Sequence, residues 1–322
     1  RAVADAPAHI PAAEEAQLSC SVSNITANGF KISASSSATS DIWQYSLNGG
    51  TSWTQFSTTA GTSASVTLSS LSPNTTYSVR VRARKRTNQV YGTSGTVSAK
   101  TLGGAVILSC GSFSADAATI SLSLRVTVYN AAYTNYITIK NGSTTYLSLA
   151  GRVWSSGTAY RTITLTSSER TTLLNAMANV KSFTATIELV TKSGNTQIGN
   201  ASTCTCTVST SASNSGPTLS GFTFADSYST TTAITGNDQV LIQGYSQLTV
   251  TPGTATARNG ASIVSYSAVC SGVTKSNTSG AALSLGTIGT SGTRDITLTV
   301  TDSRGYTAAV TQSVTVVPYS KP

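Results

Sequence analysis

Charged residues are scarce in this chain: they make up 10% of its 322 residues, and there is one histidine. Long apolar runs are also missing, because no stretch of about 18 apolar residues occurs and none is predicted to span a bilayer. The lone histidine, His9, leaves the rest of the chain without a Ser-His-Asp or Cys-His arrangement and without the usual ligand of zinc sites. These absences predict a protein that is not an enzyme, binds no cofactor and does not insert into membranes.

The eleven carboxylates are scattered along the sequence. A glycosidase needs two of them facing each other across a cleft, which would require Asp226 to meet Asp238 or Asp295 in the fold. We interpret these residues as surface or turn carboxylates. Calcium takes about six to eight oxygen ligands with several charges. The stretches GNDQ (236–239) and TDSRG (301–305) each offer one carboxylate, so we predict turns there and no metal.

Five cysteines are present, so at least one is unpaired. Cys204 and Cys206 lie two apart in a strand-like run, on one face, and are too constrained to bridge each other comfortably. They alternate with threonines in TCTCTV, as small core residues do. Two interpretations stay open: all five are free thiols, mostly buried, or Cys110 forms a disulfide with Cys204 or Cys206.

Short apolar alternations broken by Gly, Asn and Ser recur along the chain, and this pattern predicts an all-β protein. We divide it into three β-sandwich modules in series, with one short helix in the second. The opening RAVADAPAHIPAAEEAQ lacks the apolar core of a signal peptide, and SASNSGP has the composition of a linker. The predicted boundaries are a flexible arm at 1–16, the first module at 17–102, the second module at 103–210, the linker at 211–217 and the third module at 218–322.

The first module contains turn signals at Asn28-Gly29 and at Asn48-Gly49-Gly50. The stretch LSPNTTYSVRVRARKR (71–86) then combines Leu, Pro and Thr at alternate positions with a tyrosine that opens an alternating strand. This module resembles fibronectin type III, whose tyrosine corner has that spacing. The strand KISASSS lacks the tryptophan usual there, so Trp43 or Trp53 is expected to fill that part of the core.

One strand of the first module is strongly basic. Alternation places Tyr77, Val79, Val81 and Ala83 inward, and the cations between and after them outward. We interpret this surface as a solvated sheet face; contact with a neighbouring subunit or an acidic cell-wall polymer is the alternative. Nucleic acid is disfavoured, because stacking aromatics are expected beside the cations and only Tyr91 is close in sequence. The basic residues are Arg80, Arg82, Arg84, Lys85 and Arg86.

The second and third modules have the strand and turn pattern of immunoglobulin-like sandwiches. In TSSERTTLLNAMANV, Thr166 and Glu169 form a capping box, which predicts a helix at about 167–178. Aromatic and arginine side chains near the loops NAAYTNY and GRVWSSGTAYR could bind a glycan, although core packing is expected to claim some of the rings. The candidate glycan or partner contacts are Tyr133, Tyr136, Arg152, Trp154, Tyr160 and Arg161.

Three linked segments, LTSSERTTLLNAMANVKS, TGNDQVLIQGYSQLTVTPGTATARNGASIVSY and VTDSRGYTAAVTQSVTVVPYSKP, resemble immunoglobulin-like regions of minor structural proteins of siphophages. The resemblance implies an exposed virion component of the tail, baseplate, fibre or surface decoration, which has no catalytic site. It implies other virion proteins as partners, a trimer or ring of identical chains, and host surface polysaccharide as a ligand. The alternatives are a bacterial cell-surface or secreted adhesin and a polysaccharide-degrading accessory protein.

Overall fold

The computed structural model describes residues 15–320. Strands make up 55% of the described residues and helices 7%, which confirms the all-β class. Three separate clusters of buried apolar side chains follow one another along the chain, one within each predicted module. The exact module boundaries stay a prediction. His9 and most of the predicted arm lie outside the described residues, whereas Ala16, assigned to the arm, is buried against Gly92.

The strands of the first module are joined by hydrogen bonds into one seven-stranded sheet. Strand β2 holds it together, because its first half pairs with β1 and β4 and its second half pairs with β3 and β5. Irregular register in the middle of β2 lets one strand serve both halves of the sandwich. The strands are β1 (Leu18–Ser23), β2 (Phe30–Ser46), β3 (Thr54–Ser57), β4 (Gly61–Leu68), β5 (Thr76–Lys85), β6 (Tyr91–Thr93) and β7 (Val97–Lys100).

The core of the first module shows which residue replaces the tryptophan that is missing from KISASSS. Trp43 is fully buried with Phe30 and Ile32, whereas Trp53 lies at the surface edge of the sheet. The hydroxyl of Tyr77 accepts a hydrogen bond of 2.9 Å from the backbone N–H of Ser72, so the predicted tyrosine corner is present.

The second module packs a three-stranded sheet, β14-β10-β8, against a seven-stranded sheet built around β12-β11-β15-β17-β9. Inward side chains from both sheets share one apolar cluster. The elements are β8 (Val106–Cys110), β9 (Phe113–Ser114), β10 (Ser121–Val128), β11 (Thr134–Asn141), β12 (Thr144–Ser148), β13 (Arg152–Val153), β14 (Gly157–Thr164), α1 (Ser167–Ala176), β15 (Ser182–Ser193), β16 (Thr196–Gln197) and β17 (Ser202–Ser209).

Helix α1 begins at the predicted capping box. The Thr166 hydroxyl accepts from the Glu169 N–H, and the Glu169 carboxylate accepts from the Thr166 N–H, so two helix donors are satisfied reciprocally. Leu173, Leu174 and Met177 are buried in the core of the second module.

The third module has a three-stranded sheet, β19-β21-β25, facing a five-stranded sheet, β20-β27-β26-β23-β24. Its last two strands form the predicted terminal hairpin. The elements from residue 212 onward are α2 (Ala212–Ser215), β18 (Thr218–Leu219), β19 (Phe222–Asp226), α3 (Ser229–Thr235), β20 (Val240–Ile242), β21 (Leu248–Pro252), β22 (Ala255–Thr256), β23 (Ile263–Cys270), β24 (Val273–Asn277), β25 (Leu283–Gly286), β26 (Gly292–Asp302) and β27 (Thr307–Val317).

Two short helices, α2 and α3, were not predicted. Helix α3 has the sequence STTTAIT, which has low intrinsic helix propensity. Tertiary contact overrides that propensity, because the buried carboxylate of Asp226 accepts from the Tyr228 N–H and the Thr231 hydroxyl at the start of the helix. Helix α2 lies in the predicted linker, and Ser215, Gly216 and Pro217 beside it are buried.

Candidate functional site

The basic strand β5 alternates as predicted. Val79, Val81 and Ala83 are fully buried, and the arginines between them lie half-buried on the outer face. A hairpin between β2 and β3 places Trp53 beside these arginines. That hairpin turns at Gly49 and Gly50, whose φ angles of +73° and +103° belong to the region that favours glycine.

Arg82 lies at the centre of this basic face, which we define as Arg80, Arg82, Arg84, Lys85 and Arg86. Its guanidinium carbon is 4.6 Å from the ring centroid of Trp53 and 4.8 Å from that of Tyr91. Its Nε donates to the side-chain oxygen of Gln44 at 2.6 Å. These partners are neutral and hold the cation in place by cation–π attraction and a hydrogen bond, so its positive charge stays available to a ligand.

The arginines on either side of Arg82 differ in how their charge is balanced. Arg84 forms a bidentate ion pair with Asp41, at 3.0 and 3.1 Å. The hydrogen bond from Arg84 is the main cause of the lowered pKa of Asp41. Arg80 instead donates twice to the backbone carbonyl of Ser94, at 3.1 and 3.0 Å. Arg80 and Arg82 therefore supply most of the uncompensated charge at the centre of the basic face.

The sequence interpretation of the basic face missed Trp53. This residue lies 29 positions before Arg82, and only the pairing of β2 with both β3 and β5 brings the two together. The rings of Trp53 and Tyr91 each have one face occupied by Arg82. Stacking of nucleic-acid bases needs open ring faces, and Arg82 already covers one face of each of these rings.

The candidate glycan contacts are divided between two opposite sides of the second module. Tyr136 points outward from the seven-stranded sheet, and the ammonium of Lys192 lies 5.1 Å from its ring centroid. Tyr160 points outward from the opposite, three-stranded sheet and is 71% exposed. Arg152 pairs with β11 beside Tyr136. The six candidates therefore do not form one site.

Trp154 and Arg161 have a structural role. Trp154 packs against the core of the second module, and the guanidinium of Arg161 lies 5.9 Å from its ring centroid. Arg161 also donates to the backbone carbonyl of Ser155 at 2.8 Å. This pair fixes the loop that leads into β14.

Tyr133, a candidate glycan or partner contact, is buried, with 8% of its surface exposed, so its ring is not open to a glycan. The cause is an apolar contact between the first and second modules, where Tyr133 and Ile198 pack with Ala27 and Leu102. The chain crosses this first junction through Gly103 and Gly104. A Cβ atom on Gly104 would lie 2.3 Å from the carbonyl oxygen of Ile198, so only glycine fits that close approach.

The second junction, between the second and third modules, centres on Arg304. This residue lies in the turn of the terminal hairpin and is 4% exposed. Its guanidinium reaches into the second module and donates to the carbonyl oxygens of Leu174 and Met177, each at 3.0 Å. Further bonds go to the carbonyls of Arg258, at 2.9 Å, and Asn259. Burial lowers the pKa of Arg304, and the charge of Asp302 partly offsets this effect.

The carbonyl of Leu174 lies in the last turn of helix α1 and that of Met177 belongs to its C-cap residue; the helix has no basic residue of its own in its last turn. Both carbonyls also accept a backbone N–H, from Met177 and Val180, but carbonyls at a helix C-terminus carry a partial negative charge that a cation stabilises further. Arg304 therefore caps a helix of the second module from the third. This role was missed, because TDSRG was interpreted only as a turn.

Asp116 of the second module binds the predicted linker, residues 211–217. Its carboxylate accepts from the backbone N–H of Ser211 at 2.7 Å and from the hydroxyls of Ser114, Ser211 and Ser215. Burial alone raises the pKa of Asp116, but these hydrogen bonds outweigh it and hold the pKa below its ordinary value. From the third module, the side-chain amide of Asn259 donates to the carbonyl of Asn214 and the hydroxyl of Ser215, so the polar segment 211–217 is bound at both modules.

Acid is expected to weaken this second junction. The pKa of Asp116 is lower in the folded chain than in the unfolded chain, so its stabilising effect is present above the ordinary carboxyl pKa of about 4. The effect is lost as the pH falls through the lower folded value. We expect the free energy of unfolding of the second module, with the segment bound to it, to fall below about pH 4, and to fall less in Asp116→Asn. Thermal unfolding between pH 7 and pH 3 measures this, with the exposed Asp295→Asn as control; equal acid sensitivity of all three proteins would contradict it.

Buried carboxylates are more numerous than predicted, because Asp116, Asp226 and Asp302 all have exposures of 4% or less. Asp226 does lie beside Asp238, through a 2.7 Å backbone hydrogen bond. However, its two oxygens already accept four hydrogen bonds from neighbouring backbone and hydroxyl groups. Within residues 15–320, no three His, Cys, Asp or Glu side chains are grouped as a metal site. No helix in the same range is long and apolar enough to cross a membrane.

The cysteine alternatives are resolved in favour of one disulfide. Cys110 in β8 is bonded to Cys204 in β17, so the bridge joins the two facing sheets of the second module. Cys20, Cys206 and Cys270 carry free thiols, and burial raises the pKa of each. A raised pKa keeps these thiols protonated and unreactive near neutral pH.

Comparison with known proteins yields two family matches. Residues 16–99 match the fibronectin type III domain, which confirms the predicted resemblance of the first module. Residues 137–322 match the family described as siphovirus protein of unknown function (DUF859). No curated protein matches the chain.

Several solved structures are similar to parts of the chain. They include the FN1-FN3 domains of chicken CNTN1 (11% identity, TM-score 0.28, covering 92% of this chain and 98% of that one). A calcium-stabilised, ice-binding adhesin of an Antarctic bacterium has 15% identity and a TM-score of 0.30, over 96% of this chain and 75% of the other. The Clostridium thermocellum CbhA fibronectin(III)-like modules have 14% identity and a TM-score of 0.24, over 66% and 94%. These scores are too low to support any argument about this chain.

The DUF859 match covers more than half of the chain and includes the helix and hairpin segments on which the siphophage resemblance was based. The protein therefore belongs to this siphovirus family, with a fibronectin type III domain ahead of the matched region.

Proposed function

We propose that this chain is a non-enzymatic structural component of a siphovirus virion, which projects its β-sandwich modules from the particle and contacts the host surface weakly. Its partners are other virion proteins, which hold it in several copies as a trimer or ring. Its place is at the tail, baseplate, fibre or particle surface.

The observation that carries this proposal is the immobilisation of both junctions. A projecting element needs modules whose relative orientation is fixed, and long flexible linkers would defeat that purpose. Here the first junction is an apolar contact with glycines at its closest approach. The second is a buried arginine with four carbonyl partners in two modules.

The basic face is the proposed adhesive surface of the first module. Arg80 and Arg82 keep their charge while neutral partners hold their side chains in place. Attraction between such cations and an anionic polymer is weak for one chain and is multiplied when several copies bind together. We propose a polyanionic polymer of the host envelope as the ligand.

Binding of the full chain to dextran sulfate, with neutral dextran as the comparison, tests the adhesive surface. Each cation near an anionic surface contributes about 1 kcal/mol, so Arg80→Gln with Arg82→Gln should weaken binding by about 2 kcal/mol, roughly thirtyfold. Added salt should weaken binding of the unmodified chain. The control is Arg125→Gln, which removes an exposed arginine of the second module.

Three outcomes would reject the basic face as the adhesive surface. They are equal binding to both dextrans, equal loss in the control and the double variant, and binding that is insensitive to salt. An unchanged thermal unfolding curve of the double variant is required for the comparison, because Arg82 also packs between two aromatic rings.

A further inference from the structure

The third module contains an aromatic pocket that has no role in either junction. It is a cavity of about 370 Å³ lined by three tyrosines, two isoleucines and two threonines. Tyr228, Tyr245 and Tyr319 are 42%, 40% and 44% exposed, and Ile234 at the rim is 71% exposed. Exposed aromatic rings gathered around a concave site are unusual on a surface that needs only solubility. We define this aromatic pocket by Tyr228, Ile234, Ile242, Tyr245 and Tyr319.

The tyrosines are held in place before any ligand arrives. Tyr245 and Tyr319 form an edge-to-face pair, with ring centroids 4.5 Å apart and planes inclined at 64°. A hydrogen bond to Tyr319 is the main cause of the raised pKa of Tyr245. The raised pKa keeps the Tyr245 phenol neutral at physiological pH, because an unperturbed tyrosine already titrates near 10.

The buried carboxylate of Asp226 fixes the backbone beneath the aromatic pocket. It accepts from the N–H of Tyr228 at 3.0 Å and from the hydroxyl of Ser246, the residue after Tyr245, at 2.6 Å. The N–H of Gln247 donates to it at 2.9 Å. One carboxylate thus fixes the two segments that carry Tyr228 and Tyr245. A site ordered in advance loses less entropy on binding.

The lining indicates the class of ligand. Among the described residues that line the pocket, none carries a charged side chain, so nothing there would recognise an ionic group. The rings offer apolar faces, and the phenols and threonines offer hydroxyl donors and acceptors. A pyranose has the complementary surface, with apolar C–H faces and a rim of hydroxyls. The volume lies within the range of small-ligand pockets, about 300–1,000 Å³.

A protein partner fits the aromatic pocket less well. Stable interfaces involve about 20–30 residues on each side, whereas seven residues line the pocket itself. We propose that the aromatic pocket binds a neutral saccharide through stacking on its tyrosine rings. The inference adds a ligand and a location to the proposed adhesion; the basic face, on another module, takes no part in it.

A printed array of neutral and anionic oligosaccharides, including fragments released from bacterial cell walls, provides the probe. The full chain should bind neutral glycans, and titration calorimetry with the best of them gives the affinity. Tyr245→Ala and Tyr319→Ala should each weaken binding at least about tenfold, the loss expected when a stacking ring is removed. The matched control is Tyr129→Ala, which removes an equally uncharged ring of similar exposure, 41%, from the second module.

Absence of any neutral ligand, binding of anionic glycans alone, or equal affinity of the Tyr245 and control variants would overturn the saccharide site. A concentration-dependent dimer that Tyr319→Ala dissolves would also overturn it, and would identify the pocket as a contact between copies. Unchanged binding to dextran sulfate in the tyrosine variants would show that loss of the saccharide site leaves the basic face intact.

Discussion

Replacing Arg304 with methionine should uncouple the third module from the second. The substitution keeps a long apolar stem but removes the donors that satisfy four backbone carbonyls, two of them at the end of helix α1. The carbonyls of Leu174, Met177 and Arg258 keep a backbone N–H partner, so the cost is the loss of hydrogen bonds made by a charged group, about 1.5–3 kcal/mol each. We expect one cooperative thermal transition for these two modules in the unmodified chain and two separate transitions in the variant.

Calorimetry and small-angle X-ray scattering measure this uncoupling. The variant should also show a larger radius of gyration, because the angle between the modules is no longer fixed. Arg125→Met removes an exposed arginine of the second module and is the control. If Arg304→Met melted in a single unchanged transition with unchanged scattering, the second junction would not be what immobilises these modules.

Removing the disulfide should have the second large effect. The bridge between Cys110 and Cys204 spans 94 positions and connects the two sheets of the second module. Closing a loop of that length restricts the unfolded chain, and loss of a native disulfide costs about 2–5 kcal/mol. Cys110→Ala with Cys204→Ala, or reduction with dithiothreitol, should therefore lower the melting temperature of the second module.

Thiol counting gives an independent check of the disulfide. The denatured, unreduced chain should react at three thiols, those of Cys20, Cys206 and Cys270. Cys20→Ala is the control variant, because its half-buried thiol lies in the first module. Five reactive thiols, or an equal loss of stability in Cys20→Ala, would contradict a structural disulfide.

The local parts of the fold could be predicted from the sequence. Alternation in TYSVRVRARK fixed which side chains of β5 are buried, and the Thr166–Glu169 capping box placed the start of helix α1. Both signals act over a few residues, so no knowledge of the rest of the chain was needed. The family-typical segments and the fibronectin type III spacing were recognisable for the same reason.

The long-range parts could not be predicted. Arg304 and its acceptor Leu174 are 130 positions apart, and the aromatic pocket gathers tyrosines from 228 to 319. The spacing of residues in the sequence gives no information about contacts between residues so far apart. The burial of Tyr133 could not be predicted, because a loop tyrosine looks exposed until the neighbouring module covers it. Helix α3 was missed because a buried carboxylate, not helix propensity, stabilises it.

The central claim, a string of fixed sandwiches that belongs to the virion, is tested most directly by cryo-electron microscopy of intact siphovirus particles that encode this chain. The account predicts density on the particle into which residues 15–320 fit as one body, with both junctions unchanged and several copies related by symmetry. Particles that lack this density, or modules that appear there at variable angles, would contradict it.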